Sequence, residues 1–303
     1  RNTTENIRYR HREHHSSMIL WLLSCAQTSI EDTASIDPCT ISLREDFFLR
    51  EAECIGGICP VKEGVFIMGE GDSNTPDQCP PRDVLLSKFS IDETEVTQAQ
   101  YTYCIEEGVC SPTPECPTQA NIQNQSKVPQ TCVTWFQAQE YCSWKGGSLP
   151  TEAQWEKSAR GTTGASWPWG QTPPSCGVAN FRYAPAYCTG GPVEVGSYSN
   201  INPLLSEIPT ARTPFGLLDT VGNVWEWTLD WYDAGYFRYA SDFDPQGPEE
   251  CAVDLNSPMG SCTEKVLKGG ALNTLQDVTR GSSRGFLPPQ YYDDNIGFRC
   301  AYR

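Results

Sequence analysis

Three segments of the chain begin with the same local pattern, a threonine followed three residues later by a glutamine. The threonines are Thr97, Thr134 and Thr151. In this pattern the hydroxyl accepts a hydrogen bond from the N3 amide, and the glutamine side chain bonds back to the N-cap amide. Apolar side chains follow each threonine at helical spacing, so the pattern predicts three helices of about ten residues. Glycines suited to ending them follow at Gly108, Gly146 and Gly161.

The other apolar residues occur in short runs separated by glycine, proline, asparagine and aspartate, which is typical of strands joined by structured loops. The predicted strands are residues 64–68, 83–91, 193–198, 266–268 and 297–302. No internal repeat is visible, and we expect residues 61–303 to form one α+β domain with few regular elements. Every tryptophan except Trp21 lies between Trp135 and Trp231, so this interval is expected to hold the densest core.

The charged residues exclude several classes of function. The chain of 303 residues has 38 acidic and 22 basic residues and a formal net charge of −16, which disfavours binding to nucleic-acid phosphates. Its three histidines are His11, His14 and His15, so residues 16–303 contain none. Nucleophiles activated by histidine, and zinc sites with histidine ligands, are therefore excluded from the body of the chain.

Fifteen cysteines without any Cys-x-x-Cys spacing indicate disulfides formed in an oxidising compartment rather than zinc sites. Closeness in sequence favours two pairs, Cys176 with Cys188 and Cys251 with Cys262, because each pair flanks a loop rich in glycine and proline. Pairings within a central group stay open, namely among Cys104, Cys110, Cys116 and Cys132.

The N-terminal segment has features of a bacterial lipoprotein signal. A basic stretch precedes the apolar residues 18–23, and Leu22-Leu23-Ser24-Cys25 resembles a lipobox, whose cysteine is acylated. We expect residues 1–24 to be a signal segment and residues 25–60 to be a tether with a disulfide-pinned lead-in. The predicted location is extracytoplasmic, on the bacterial envelope, with membrane contact only through the lipid on Cys25. The alternative is a misplaced start before a secretory segment, because the chain begins with arginine.

A series of motifs occurs in a fixed order along residues 61–303. They are Gly64-Val-Phe-Ile-Met-Gly69, Asp92-Glu-Thr-Glu-Val-Thr97, Leu149-Pro-Thr-Glu-Ala-Gln-Trp-Glu156, Trp167-Pro-Trp-Gly170, Pro214-Phe-Gly-Leu-Leu-Asp219, Gly222-Asn-Val-Trp-Glu-Trp227, Lys268-Gly-Gly270 and Gly297-Phe-Arg299. This ordered set resembles the formylglycine-generating enzyme, or sulfatase-modifying-factor, domain family. The resemblance implies a variant of the C-type lectin-like fold, with much irregular structure around a small sheet.

The resemblance also bears on catalysis. The oxidising enzymes of the family convert a substrate cysteine to formylglycine with copper(I), held by two cysteines between the Lys-Gly-Gly and Gly-Phe-Arg motifs. Here residues 271–299, which begin at Ala271 and end at Arg299, contain no cysteine. We therefore expect no formylglycine-generating activity and no copper. By the same resemblance, Cys300 is the structural cysteine that pairs with Cys142.

A calcium site is implied by the family pattern around the Gly-Asn-x-Trp-Glu-Trp motif. The implied ligands are the Asp219 side chain, the main-chain carbonyls of Gly222 and Val224, and the Glu226 side chain. Hard oxygen ligands of this kind suit calcium. The alternative is that Glu226 is the buried partner of an arginine, with Arg280 or Arg284 as the candidates.

A possible groove for a peptide or small ligand combines family positions with polar and aromatic residues. The resemblance places Trp225 near the substrate groove and an arginine pair at Arg280 and Arg284, and residues 291–295 form a polar, aromatic segment suited to contacts. The candidate groove residues are Trp225, Asn273, Arg280, Arg284, Tyr291 and Tyr292. Each has a structural alternative: core packing for the tryptophan, pairing with core carboxylates for the arginines, and a solvated loop for the tyrosines.

Three functions compete at this point. The first is a recognition or structural domain of the envelope that binds an unknown protein, peptide or small ligand. The second is an enzyme of the same family with a different oxidative or maturation chemistry on a protein or peptide. The third is a receptor diversified by a retroelement, in which residues 271–295 would vary.

Overall fold

The computed structural model describes residues 53–71, 75–115, 126–199, 211–248 and 263–303. The expected signal segment, the lipid attachment site at Cys25, most of the expected lead-in and the expected pair Cys251–Cys262 lie outside these ranges.

Three helices begin where the threonine–glutamine pattern predicts them. They are α1 (Gln98–Glu106), α2 (Trp135–Trp144) and α3 (Glu152–Arg160). Both hydrogen bonds of the capping box are present at each N-terminus. Helices α1 and α2 each bury a few residues, whereas α3 is buried along almost its whole length and so brings charged side chains into the interior. Within the described ranges, none of the helices has the length and apolar character that crossing a membrane requires.

Short strands form four small sheets in the described part of the chain. They are β1 (Ile58–Val61), β2 (Gly64–Met68), β3 (Arg82–Leu86), β4 (Phe89–Asp92), β5 (Arg182–Tyr183), β6 (Ala186–Tyr187), β7 (Trp225–Trp231), β8 (Lys265–Lys268), β9 (Gly285–Leu287), β10 (Ile296–Gly297) and β11 (Ala301–Tyr302). The largest sheet has the order β10-β7-β8-β9, in which only the β10–β7 pair is parallel. A second, antiparallel sheet has the order β1-β4-β11, and the pairs β2–β3 and β5–β6 complete the set.

Two predicted strands differ from the structure: one is divided and the other is absent. The predicted strand 83–91 is divided into β3 and β4, because Ser87 turns the chain by donating its N–H and its hydroxyl to the Asp244 carboxylate, at 2.8 and 2.7 Å. Residues 193–198 form no strand, and 195–198 form turns instead. Gly196 has a φ of +73°, which is outside the extended region that a strand requires.

The C-terminal segment joins the two larger sheets. The predicted strand 297–302 is divided between β10 and β11, which lie in different sheets. Between them, the Cys300 N–H donates to the side chain of Asp92 in β4, at 2.8 Å, rather than to a main-chain carbonyl. At the other end of the domain, β1 begins at Ile58 and so crosses the boundary expected at residue 61.

Disulfides tie these elements together. The pairs with both cysteines in the described ranges are Cys54–Cys59, Cys104–Cys110, Cys142–Cys300 and Cys176–Cys188. Two of them, Cys142–Cys300 and Cys176–Cys188, are the expected pairs. Cys79 and Cys132 are disulfide-bonded as well. The Cys142–Cys300 pair lies inside the largest apolar cluster, where it connects α2 to the segment between β10 and β11. These disulfides are consistent with an extracytoplasmic location.

Candidate functional site

Strand β7 divides its side chains between two faces of the largest sheet. Trp225 and Trp227 enter the apolar cluster, and Glu226 between them is fully buried. Both Glu226 oxygens accept from Arg299, with Nε–Oε2 and Nη2–Oε1 distances of 2.6 and 2.8 Å. The Trp155 Nε1–H donates to Glu226 Oε2 at 2.8 Å. A bidentate pair with a third donor satisfies this carboxylate within the protein.

Arg299 is the cation on which the site is built. It is fully buried, and three main-chain carbonyls accept from it at 2.9–3.1 Å. They belong to Asp92, Glu93 and Leu218. With the two bonds to Glu226, all five guanidinium N–H donors are used. The alternative assignment for Glu226 was therefore right in naming an arginine and wrong in choosing Arg280 or Arg284.

Two further carboxyl groups, those of Glu95 and Asp219, lie close enough to interact electrostatically with Arg299. We call Glu95, Asp219 and Glu226 the carboxylate cluster. Glu95 Oε1 accepts from Asn223 Nδ2 at 3.0 Å, whereas the buried Oε2 accepts from no N–H or O–H donor of the described residues. The Glu95 and Asp219 carboxyl groups lie close enough to share a proton. Burial raises the pKa of Glu95 well above its ordinary value and raises the pKa of Asp219 to about 6. Three carboxyl groups thus share one guanidinium, and the raised pKa values mean that Glu95 and Asp219 bind a proton more readily than ordinary carboxylates do.

The loop before β7 brings Asp219 to a small cavity. Gly222 has a φ of +76°, and a Cβ there would lie 2.1 Å from the Asn180 carbonyl oxygen, so only glycine fits this crossing. The cavity beside it is lined in part by Asn180, Asp219 and Thr220. The Thr220 hydroxyl is a second buried oxygen without a hydrogen-bond partner in the described ranges.

The carboxylate cluster fits a divalent cation on its Asp219 side only. A cation there would compensate carboxylate charge that Arg299 does not, and it would compete with a proton held between Asp219 and Glu95. Glu226 does not fit as a ligand, because its two oxygens already accept from Arg299. In the part of the chain that the structure describes, no three His, Cys, Asp or Glu side chains converge on one metal position. A calcium ion would therefore take most of its ligands from main-chain carbonyls.

The two arginines of the expected groove have structural partners. Arg284 is buried and forms a bidentate pair with Glu152, at 2.7 and 3.0 Å, while its guanidinium stacks 4.7 Å from the centre of the Tyr232 ring. It cannot line a ligand groove, because no part of its charged group reaches solvent. Arg280 is half-buried, with its guanidinium 3.7 Å from the Glu70 carboxylate.

The other expected groove residues are divided between core and surface. Trp225 is fully buried, so its assignment to a groove is wrong and core packing is the correct interpretation. Asn273 and Tyr292 are exposed, and Tyr291 packs against the apolar cluster with part of its surface free. The Asn295 side-chain amide donates to Asn273 Oδ1 at 3.0 Å, which links the two ends of residues 271–295.

Two buried threonines follow Gly270, Thr274 at the end of a turn and Thr279 at the end of a short 3-10 helix. A Cβ on Gly270 would lie 2.9 Å from Thr274 Oγ1 and 3.0 Å from Thr279 Cγ2, so both side chains pack against the same glycine. Both residues are buried. Their hydroxyls donate to the main-chain carbonyls of Ala271 and Gln276, at 2.8 and 2.7 Å. The two side chains beside Gly270 therefore present hard, hydrogen-bonded hydroxyls, which are poor ligands for a soft ion such as copper(I).

Sequence analysis missed the roles of Glu95 and Arg299, although both lie in motifs that it singled out. A charged residue directly beside apolar residues was the available signal, as with Glu95 before Val96 and Arg299 after Phe298. Charges of this kind are almost never buried unless they are paired.

Several known proteins are similar in sequence. The chain is 29% identical to "Serine/threonine-protein kinase pkn1" of Chlamydia caviae in an alignment of 262 positions that covers 80% of this chain and 37% of that protein. It is 33% identical to the "Formylglycine-generating enzyme" of Streptomyces coelicolor in an alignment of 191 positions that covers 60% of this chain and 55% of that enzyme. It is 26% identical to the mouse "Inactive C-alpha-formylglycine-generating enzyme 2" in an alignment of 330 positions, gaps included, that covers 94% of this chain and 91% of that protein. The chain thus spans less than two thirds of the length of the first two.

A solved structure is similar in fold. "Structure of PvdO from Pseudomonas aeruginosa" matches with a TM-score of 0.64 and 24% sequence identity, covering 81% of this chain and 94% of that chain. The family described as "Sulfatase-modifying factor enzyme 1-like domain" matches residues 45–303. The observed α+β fold, rich in loops and stapled by disulfides, is the one that the ordered motifs predicted. Since the match covers most of the chain, this protein belongs to the sulfatase-modifying-factor, or formylglycine-generating enzyme, domain family.

Proposed function

We propose that this chain is an extracytoplasmic recognition domain that has the scaffold of its family without the copper-dependent oxidase chemistry. In this proposal a lipid on Cys25 holds it at the bacterial envelope. One observation carries the proposal: residues 271–299 contain no cysteine. The thiolate pair that holds copper(I) in the oxidising enzymes lies in the corresponding interval, and soft copper(I) binds thiolates far better than hydroxyls.

The state of the other cysteines supports the same proposal. Every cysteine in the described ranges is disulfide-bonded, including Cys300 next to the interval. A disulfide sulfur is a weak ligand, because the metal ligand is the thiolate. The alignment with a mouse protein whose name calls it inactive, over 94% of this chain, is a further reason to consider loss of the oxidase reaction.

The first test is for the oxidase reaction itself. We expect the purified chain to leave a sulfatase-type cysteine peptide unchanged in the presence of oxygen, a reductant and copper(I). The reason is that no thiolate pair is available to hold the ion near the substrate. Mass spectrometry would detect the aldehyde product. A copper-dependent aldehyde made by the unmodified chain, and absent from a mock purification, would overturn the proposal.

The chain offers a matched control for copper binding. Thr274 and Thr279 both pack against Gly270, so the double variant Thr274→Cys/Thr279→Cys would place two thiols against the same buried glycine. We expect this variant to withdraw copper(I) from a coloured chelator under reducing conditions, and the unmodified chain to leave the chelator complex intact. Equal withdrawal by both proteins would locate the copper ligands outside residues 271–299.

We also propose that calcium binds on the Asp219 side of the carboxylate cluster and stabilises the fold. Calcium at a hundredfold excess over its Kd should add about 2.7 kcal/mol to the free energy of unfolding, or about 5 °C in Tm. Asp219→Asn should abolish that increment, because it removes the charged ligand. Asp277→Asn, at an exposed aspartate outside the cluster, is the control. A Tm that is the same in calcium and in chelator would contradict the site.

A further inference from the structure

A short hairpin projects from the domain beside residues 271–299. Strands β5 and β6 pair in the register Arg182↔Tyr187 and Tyr183↔Ala186. Residues 182–187 are all exposed, and Tyr183 and Tyr187 each expose 54% of their surface. Large aromatic side chains with this exposure are good anchors for a partner, because they supply contact area at low conformational cost.

The base of the hairpin is fixed in place. The Cys176–Cys188 disulfide closes it, and Phe181 is fully buried. The Arg182 N–H donates to the Thr274 carbonyl at 2.8 Å, which attaches β5 to the loop after β8. A segment held at these points presents its tip in a preformed conformation, and preorganisation lowers the entropy cost of binding.

Strand β6 is an edge strand, and its outer side has no neighbouring strand in the described part of the chain. The Cys188 N–H donates to the Phe181 carbonyl at 3.0 Å, so these two residues form a hydrogen-bonded pair. In an antiparallel ladder such pairs alternate with pairs whose N–H and C=O groups point away from the partner strand. Arg182 and Tyr187 are the next pair, and the Arg182 N–H does point away, toward Thr274. The N–H and C=O of Tyr187 therefore point to the opposite side, where the described residues provide no neighbouring strand.

The positive charge of Arg182 determines which kind of peptide can bind at the outer edge of β6. Arg182 is the only charged residue between Phe181 and Cys188. Its guanidinium carbon lies 6.0 Å from the centre of the Tyr187 ring, so the charged group is beside the side chain of β6 that faces it. Among the described residues it has no carboxylate partner, in a chain with a net charge of −16. An unpaired guanidinium beside an open strand edge is complementary to a carboxylate on an added strand.

We infer that the outer edge of β6 binds an extended polypeptide segment that adds as a strand beside Tyr187 and carries an acidic side chain toward Arg182. A polypeptide is favoured over a sugar for two reasons. The open N–H and C=O of Tyr187 pair with a peptide backbone, and Tyr183 and Tyr187 lie on opposite faces of the hairpin, where one flat ring cannot stack on both. This inference rests on the recognition role proposed above and gives that role a site.

The test uses a library of random dodecapeptides displayed on phage, selected on the whole purified chain. We expect enriched peptides with an aspartate or glutamate beside aromatic or β-branched residues. Tyr187→Ala and Arg182→Ala should each weaken binding of the synthesised peptides by about tenfold. Tyr103→Ala, at a tyrosine of α1 with the same 54% exposure, should leave binding unchanged. An unchanged Tm for each variant shows that the fold is intact.

Methylation of single peptide amides distinguishes strand addition from side-chain contact. One methylated position, the amide that pairs with the Tyr187 carbonyl, should lower affinity about tenfold, and its neighbours should have little effect, because their amides point away. The inference is overturned by a selection that enriches nothing, by peptides indifferent to the hairpin variants, or by indifference to every methylation. Each of these results leaves the absence of oxidase activity standing. Aldehyde formation in the oxidase assay would contradict the proposed function, whereas the peptide-binding measurements would still test binding at β6.

Discussion

Replacing Arg299 with methionine should destabilise the folded protein by about 3–5 kcal/mol, a large share of the stability of a typical domain. The substitution removes the only guanidinium bound to Glu226 in the described ranges and leaves three buried carboxylates near one another. It also leaves three main-chain carbonyls without their donor. Urea unfolding followed by tryptophan fluorescence measures the loss, since Trp155 donates directly to Glu226.

Two further variants show whether burial and charge are the cause. Arg212→Met breaks an ion pair with Glu93 whose side chains are 25% and 23% exposed, so we expect a loss of at most about 1 kcal/mol. Adding Glu226→Gln to Arg299→Met should recover part of the loss, because the orphaned charge is then removed. A similar cost for Arg212→Met and Arg299→Met, or no recovery in the double variant, would contradict this account of the site.

The helices could be predicted from the sequence because their signals are local. Each capping box lies within four residues, and its two hydrogen bonds form whatever the rest of the fold does. The disulfide Cys176–Cys188 was predictable for the same reason, since its two cysteines are only 12 residues apart in sequence. Cys142–Cys300, with a separation of 158 residues, was accessible only through the family resemblance.

Strand β7 was missed although its alternation is visible in the sequence. Tryptophans and a leucine alternate with Glu226, Thr228 and Asp230, which is the period of a strand. A strand with one polar face is normally solvated on that face, yet these three residues are all buried. Their burial depends on partners from distant parts of the chain, such as Arg299 for Glu226 and the Glu152 N–H for Asp230.

Local sequence patterns could not predict which arginine pairs with Glu226. Arg280 and Arg284 are nearer to Glu226 in sequence, and Arg284 does form a buried bidentate pair, but with Glu152 at the start of α3. Which carboxylate meets which arginine is set by the parallel pairing of β10 with β7, which brings Arg299 beside Glu226. That pairing joins segments about seventy residues apart and has no signature in either segment alone.

Removing the Cys142–Cys300 disulfide should cost about 5 kcal/mol, more than removing a short one, if restriction of the unfolded chain is the main source of its stabilisation. The loop that it closes spans 158 residues, against 6 for Cys104–Cys110, for which the same relation gives about 2 kcal/mol. Both pairs are buried in the same apolar cluster, so double substitution to alanine removes similar packing in each case. The difference of about 3 kcal/mol in the free energy of unfolding therefore isolates the effect of loop length. Equal losses for the two double variants would instead place the stabilisation in the folded state, in the contacts that join α2 to the segment between the two sheets.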